Sequence, residues 1–226
     1  MTKTYRVNEI FYSLQGEGRN TGRAAVFVRF AGCNLRCPFC DTDFDSYTPM
    51  TAEDIVAAIT DVVPFAQQPI GTPLLVVLTG GEPTLQVDEP FVDLLHRHAF
   101  EVAMESNGTR PAPRNLDWLT VSPKNDSREG WKAEDGVRTP NELKIVFDED
   151  TDPESYLTPH STLHAPQEGL HPSRESIHLP QYLYLQPCDT GDPRRNARIT
   201  ALCIDYIKRH PWWRLSLQTH KLVGIE

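Results

Sequence analysis

Three thiols on one short stretch, Cys33-Asn-Leu-Arg-Cys37-Pro-Phe39-Cys40, carry the strongest chemical signal in this sequence. They follow a run of strand-forming residues directly, and at this spacing they can converge on one metal centre. A structural zinc site takes a fourth ligand, usually from a second knuckle. None is evident, because the next cysteine is Cys188 and the nearest downstream histidine is His96. A ferredoxin-type carrier uses four thiolates per cluster. Three thiolates on a [4Fe–4S] cluster leave one iron without a protein ligand, open to a substrate or cosubstrate. The spacing therefore points to a reactive, open-site cluster. Cys188 and Cys203 are not expected to ligate iron, and Cys203 reads as a small buried hydrophobe on a helix.

The elements that must hold such a loop are short apolar runs ending in turn residues. Strands are expected at Ala24–Phe30, Leu74–Thr79, Glu101–Glu105, Trp118–Val121, Leu143–Phe147, Tyr182–Leu185 and Arg214–Leu217, rich in the residues half- or fully buried strands use. Val7–Leu14 reads as an extra extended piece, paired as a hairpin or at an edge. Between the strands, Thr51 followed by Glu53 and Asp54 starts a helix with Ile55, Ile59 and Val62–Val63 as its stripe. Phe91, Leu94 and Leu95 give a second helix after Pro90. A third runs from Pro193 to Arg209, with Ile199, Leu202, Cys203 and Ile207 on one face. Strand–helix alternation predicts an α/β fold with a mainly parallel sheet.

Six strands end in polar or glycine-rich tips: Gly32-Cys33, Thr79-Gly80-Gly81-Glu82, Glu105-Ser106-Asn107-Gly108, Ser122-Pro123-Lys124, Gln186-Pro187-Cys188-Asp189 and Gln218-Thr219-His220-Lys221. In barrel-type α/β folds these ends are where sites are built. Turns are polar in any fold, but that alone does not explain so many polar tips alongside a cysteine cluster. Asp41, Asp43 and Asp45 read as acidic residues on a solvated loop. Residues 149–180, with His160, His164, His171 and His178 at no ligand spacing, read as a long surface excursion.

Cys-x3-Cys-x2-Cys with the aromatic Phe39 before its last cysteine is similar to the signature of the radical S-adenosylmethionine (SAM) superfamily. In that superfamily the open iron holds the amino and carboxylate groups of SAM, and one electron cleaves it to methionine and a 5′-deoxyadenosyl radical. The resemblance places SAM against Phe39, Cys40, Asp41, Gly81, Glu82, Ser106, Ser122, Pro123, Lys124, Gln186, Pro187, Cys188 and Asp189. The glycine-rich tip would let the methionine amino group approach. The Ser122 and Gln186 tips would bond the ribose and adenine.

Further stretches extend the likeness over nearly the whole chain: Glu9-Ile-Phe-Tyr-Ser-Leu14-Gln15-Gly16-Glu17-Gly18, Cys40-Asp41-Thr42, Asn141-Glu142-Leu143-Lys144 and Ser216-Leu-Gln-Thr-His220-Lys221. Together they resemble the 7-carboxy-7-deazaguanine synthase family. That resemblance implies an incomplete, modified TIM-like barrel and a single domain spanning 1–226, active as a homodimer. It implies a carbon–nitrogen lyase of queuosine-type 7-deazapurine biosynthesis. The substrate would be 6-carboxy-5,6,7,8-tetrahydropterin, contracted with loss of ammonia to 7-carboxy-7-deazaguanine while SAM is regenerated. It implies Mg²⁺ with the Thr42 hydroxyl as its protein ligand, in keeping with an ion that retains waters. A flavodoxin- or ferredoxin-type protein would donate the electron.

For the pterin, Leu14, Gln15 and Gly16 would hold the edge, Glu17 would receive ring N–H donors, and Thr79 would line the site. Arg29 offers a bidentate fork for the carboxylate, against the alternative of a surface salt bridge. His220, expected on a strand tip, would bind substrate or shuttle a proton.

Composition narrows the partners. Of 226 residues, 22 are Lys or Arg and 31 Asp or Glu, giving a net charge of −9. That argues against a broad nucleic-acid footprint while leaving room for a locally basic pocket. No apolar run is long enough for a bilayer, no secretory or lipidation signal is evident, and an odd cysteine count does not suggest a disulfide framework. The expectation is a soluble cytoplasmic enzyme that binds neither nucleic acid nor membrane. Two other readings compete: a glycyl-radical activase, which leaves the Leu14–Gly18 and Thr219–Lys221 stretches unexplained, and a zinc-stabilised binding module, which lacks its fourth ligand.

Overall fold

A computed structural model describes residues 2–40, 46–64, 71–124, 139–157 and 180–225. Its strands are β1 (Thr4–Leu14), β2 (Ala24–Phe30), β3 (Thr48–Thr51), β4 (Leu74–Gly80), β5 (Phe100–Ser106), β6 (Trp118–Val121), β7 (Glu142–Phe147), β8 (Tyr182–Pro187) and β9 (Arg214–Leu215). Its helices are α1 (Ala52–Val62), α2 (Glu89–Arg97), α3 (Pro193–Arg209) and α4 (Thr219–Val223). The strands form one sheet in the order β3-β1-β2-β4-β5-β6-β7-β8-β9. From β2 to β9 every pairing is parallel, while β1 runs antiparallel to both β2 and β3. With β3 and β9 unpaired to each other, the barrel is incomplete, as expected.

Period-two alternation divides the strands between two environments. Val26, Val28 and Phe30 of β2 and Val76 and Leu78 of β4 join the core with Ile55, Ile59, Phe91 and Leu95 of α1 and α2. On the opposite face Ala25, Leu75, Val77 and Ala103 make a small-residue layer, packed by Phe27 and Trp118. Continuing on that inner face toward the strand ends come Arg29, Thr79, Glu105 and Lys144, which line a cavity.

Helix starts follow local chemistry. Thr51 and Asp54 form a reciprocal capping box on α1. Asp88 caps α2 through the Phe91 amide, so the helix begins one residue before Pro90, which sits harmlessly in its first turn. Asp192 caps α3, whose bounds match the expected ones. The α3 stripe is narrower than expected: Ile199 and Cys203 are buried, whereas Leu202 is 43 % exposed.

Three elements differ from the sequence reading. The short β3 was not anticipated. β9 stops at Leu215, after which the chain turns into α4, so His220 lies on a helix rather than a strand tip. Residues 153–156 form a docked 3-10 turn rather than loose surface: Tyr156 is buried, and Glu154 Oε1 accepts from Trp213 Nε1 at 3.0 Å and Tyr206 OH at 3.2 Å. The four histidines of the expected excursion lie outside the described residues, as do Asp41, Thr42, Asp43 and Asp45.

Candidate active site

A cavity of about 820 Å³ opens at the carboxyl ends of the parallel strands. Cys33, Cys37, Phe39 and Cys40 line it, as do Leu14, Gln15, Gly16, Glu17 and His220. Arg29, Thr79, Gly81, Ser106, Ser122, Lys124, Gln186, Pro187, Cys188 and Asp189 also line it. Glu82 and Pro123, expected at the cofactor, do not.

Glu82 has a different task. It is fully buried, and its Oε1 accepts from Thr84 N (3.0 Å), Thr84 Oγ1 (2.6 Å) and Ser106 Oγ (2.9 Å). Its Oε2 accepts from Asn107 N at 2.7 Å. The carboxylate thereby ties the tip of β4 to the tip of β5. The glycines beside it are required by the protein's own packing: a Cβ on Gly80, at φ +123°, would overlap the Phe30 backbone, and one on Gly81 would overlap the Gly32 carbonyl. Backbone bonds from Gly81 N to Phe30 O and Glu82 N to Gly32 O, both 2.8 Å, hold this tip against the start of the cysteine loop.

None of the thiols is in a disulfide. The Leu35 amide donates to Cys33 Sγ at 3.4 Å, and Asn107 Nδ2 lies 3.9 Å from the same sulfur. Such N–H groups are what a ligating, anionic sulfur accepts. Among the described residues no three His, Cys, Asp or Glu side chains are gathered closely enough to hold a metal ion. A cluster makes a different demand, one thiolate on each of three irons, so its sulfurs need not converge on a single ion. Donor type, shared wall and N–H supply fit a thiolate-held cluster, and the cavity is ample for a nucleoside cosubstrate beside a small heterocycle.

At the inner end, Glu17 accepts from Gln186 Nε2 and Gln218 Nε2, both at 3.1 Å, and pairs with the Lys144 ammonium. Burial alone would raise the Glu17 carboxyl, but Lys144, the Gln218 amide and His220 outweigh it and hold the group down at about 2. Burial likewise disfavours the charged Lys144, yet Glu105, Glu17 and Glu142 keep it firmly protonated. Lys124, by contrast, is pushed down by burial and by Lys144; its Nζ donates to Ser122 Oγ at 2.9 Å. Gln15 Nε2 donates to Glu105 Oε1 at 2.9 Å.

Arg29 forms the salt bridge that was one of its two expected roles. Its Nε donates to Glu9 Oε1 at 2.5 Å, and the residue still lines the cavity. Asp189 is committed to a clasp: hydrogen bonds from Lys221 Nζ (2.9 Å), the Gly191 amide and Asn196 Nδ2 hold its carboxyl at about 2. Cys188 is buried on the wall, its thiol raised by burial. Sequence reasoning missed Lys144 as a site residue, although a signal was present: Glu142 and Lys144 fall at alternate positions of a strand whose intervening residues, Leu143 and Ile145, are apolar.

Cysteine loop, glycine-rich second tip and open parallel barrel together define a radical SAM enzyme, and residues 27–127 match the model of the radical SAM superfamily. The chain is 41 % identical to 7-carboxy-7-deazaguanine synthase of Bacteroides thetaiotaomicron, covering 97 % of this chain and 98 % of that protein. It is 43 % identical to the protein of the same name from Nitratidesulfovibrio vulgaris, covering 98 % and 99 %. Among solved structures, that of QueE from Escherichia coli superposes with a TM-score of 0.69 at 28 % identity, covering 95 % of this chain and 93 % of that one. This chain belongs to the 7-carboxy-7-deazaguanine synthase family. Membership carries with it a [4Fe–4S] cluster and SAM. No helix among the described residues is long and apolar enough to cross a membrane.

Proposed function

We propose that the chain converts 6-carboxy-5,6,7,8-tetrahydropterin to 7-carboxy-7-deazaguanine with loss of ammonia, in 7-deazapurine (queuosine-type) biosynthesis. The observation that supports this most is a cavity lined both by the three cysteines and by Gln15, Glu17 and His220. Cys33, Cys37 and Cys40 would hold the cluster, which with SAM would supply the radical chemistry.

The chain's own residues bind, orient and shield. The tips bearing Gly81, Ser106, Ser122, Lys124 and Gln186–Asp189, with Phe39, would receive SAM, while Glu82 braces the β4 tip. Glu17, kept ionised, accepts ring N–H donors, and Gln15 and Gly16 hold the same edge. Arg29, steered by Glu9, meets the substrate carboxylate at the rim. His220 sits where it can bond substrate or hand over a proton.

Mg²⁺ held by Thr42 on the substrate side, a homodimer, a flavodoxin- or ferredoxin-type donor, a cytoplasmic setting and one catalytic domain over 1–226 complete the proposal. The test is anaerobically reconstituted protein with SAM, Mg²⁺, a low-potential reductant and the pterin, read by mass spectrometry. A product lighter by one ammonia, without stoichiometric SAM loss, is the expected result. SAM cleavage without pterin consumption overturns the substrate and favours an activase. Cys33→Ala, Cys37→Ala or Cys40→Ala abolishes cluster binding and SAM cleavage together, whereas Arg29 or His220 variants keep their iron and lose pterin turnover.

A further inference from the structure

Lys144 stands on the inner face of β7, 4 % exposed, among charges supplied by several elements. Glu17 from the β1–β2 connection takes its Nζ directly, and Glu105 Oε1 of β5 lies 3.7 Å away. Glu142 sits two residues back on the same strand, with its Oε2 accepting from Arg19 N at 3.0 Å. Among the described residues, Lys124, after β6, and His220 of α4 also bear on Lys144 and Glu17. Amide donors orient the same carboxylates: Gln186 and Gln218 on Glu17, Gln15 on Glu105. Three carboxylates thus gather around one ammonium, two of them on the cavity wall.

Like charges this close and this poorly hydrated do not all stay ionised without a cation among them. A carboxyl that took up a proton would donate where an acceptor is required, and amide donors alone carry no charge to prevent it. We propose that Lys144 is a positioning residue for the substrate, fixing Glu17 and Glu105 as paired acceptors at the inner end of the cavity. A pterin's amino group and adjacent ring N–H are neighbouring donors, and two fixed carboxylates match them. This rests on the pterin reading above and assigns Lys144 a part in recognising that substrate.

The experiment compares cluster-loaded wild type, Lys144→Met and Lys144→Arg in the presence of SAM. Affinity for the unreactive, oxidised 6-carboxypterin is followed by its fluorescence across the neutral pH range. Infrared spectra of the ligand-free proteins record protonated carboxyl in parallel. Lys144→Met is expected to bind about tenfold or more weakly at neutral pH, roughly the worth of one charge-assisted contact. It recovers as pH rises and gains protonated-carboxyl absorption over wild type; Lys144→Arg restores both behaviours. Unchanged affinity, or an equal loss at every pH with no added carboxyl absorption, overturns the proposal. Should Lys144→Met not fold, the pair Lys144→Met and Glu142→Gln removes one buried charge of each sign and carries the same comparison. A wild type that fails to bind the pterin refutes the substrate reading instead, while the infrared comparison still decides what Lys144 does to the carboxylates.

Discussion

Gly16 faces the imidazole of His220 so closely that no β-carbon fits between them: one built there would overlap Nδ1 and lie 2.9 Å from Cγ. Thr219 fixes the approach, because its amide and its Oγ1 both donate to the Gly16 carbonyl, at 3.0 and 2.9 Å. The β1–β2 connection and α4 therefore behave as one unit at the cavity edge. This contact is a demand of packing that joins residues from opposite ends of the chain.

Gly16→Ala is expected to push His220 off the cavity wall without disturbing the cysteine loop. Iron content should stay at the wild-type level, while kcat/KM for the pterin falls about tenfold or more, a loss of about 1.4 kcal/mol in transition-state binding. Steady-state kinetics with iron analysis check it. Loss of iron would mean that the two sides of the cavity are coupled.

Glu82→Ala tests the buried brace between the tips of β4 and β5. It leaves the Thr84 amide and hydroxyl, the Ser106 hydroxyl and the Asn107 amide without their acceptor. Orphaning several buried donors costs about 3 kcal/mol or more. In a chain of this size that lowers the melting temperature by about 5 °C or more. Differential scanning calorimetry against wild type decides it, and an unchanged melting temperature would remove Glu82 from its bracing role.

The legible parts of the fold were those written locally. The bounds of β2, β6 and α3 follow from alternation, or from a cap and a following proline, and they coincide with the expected ones. The cysteine loop was legible because ligand spacing is itself local. β3 was not, with four residues of weak pattern, nor was α4, whose five residues bury none of their number. Glu82 reads like a cofactor residue by its place in a glycine-rich tip, yet its partners on β5 are set by tertiary pairing. The sequence places Lys144 in a motif but shows no task for it, because that task depends on Glu17 and Glu105 arriving from distant parts of the chain.

Thiol chemistry should separate the five cysteines into two sets. Burial pushes the Cys203 thiol up to about 12 and also raises Cys188, so at mildly alkaline pH both remain protonated and poorly nucleophilic. Cys33 and Cys37 are partly exposed and Cys40 is exposed. In cluster-free protein, iodoacetamide followed by peptide mass spectrometry is expected to mark Cys33, Cys37 and Cys40 first and to leave Cys203 unmodified. Cluster reconstitution before labelling protects the first three. Rapid labelling of Cys203 in folded protein would show that α3 opens.

Acid should weaken the inner end of the cavity through Glu17. Its carboxyl is lowered from the ordinary 4.5 to about 2, because Lys144, the Gln218 amide and His220 outweigh the opposing effect of burial. A group whose folded value is depressed contributes stability that is present above its unfolded value and is lost as pH falls through the folded one. The contribution is therefore whole at neutral pH and drains away between about 4.5 and 2. Lys144 is shifted the other way, upward, so its contribution persists below its unfolded value of 10.5 and is lost only in strong alkali. Glu17→Gln should consequently be less stable than wild type at neutral pH, with the gap closing as the solution is acidified below 4.5. Denaturant unfolding of identically prepared cluster-free proteins, repeated at several acidic pH values, measures that gap. A gap independent of pH would mean that Glu17 stabilises the site by shape alone and that its charge is balanced without Lys144.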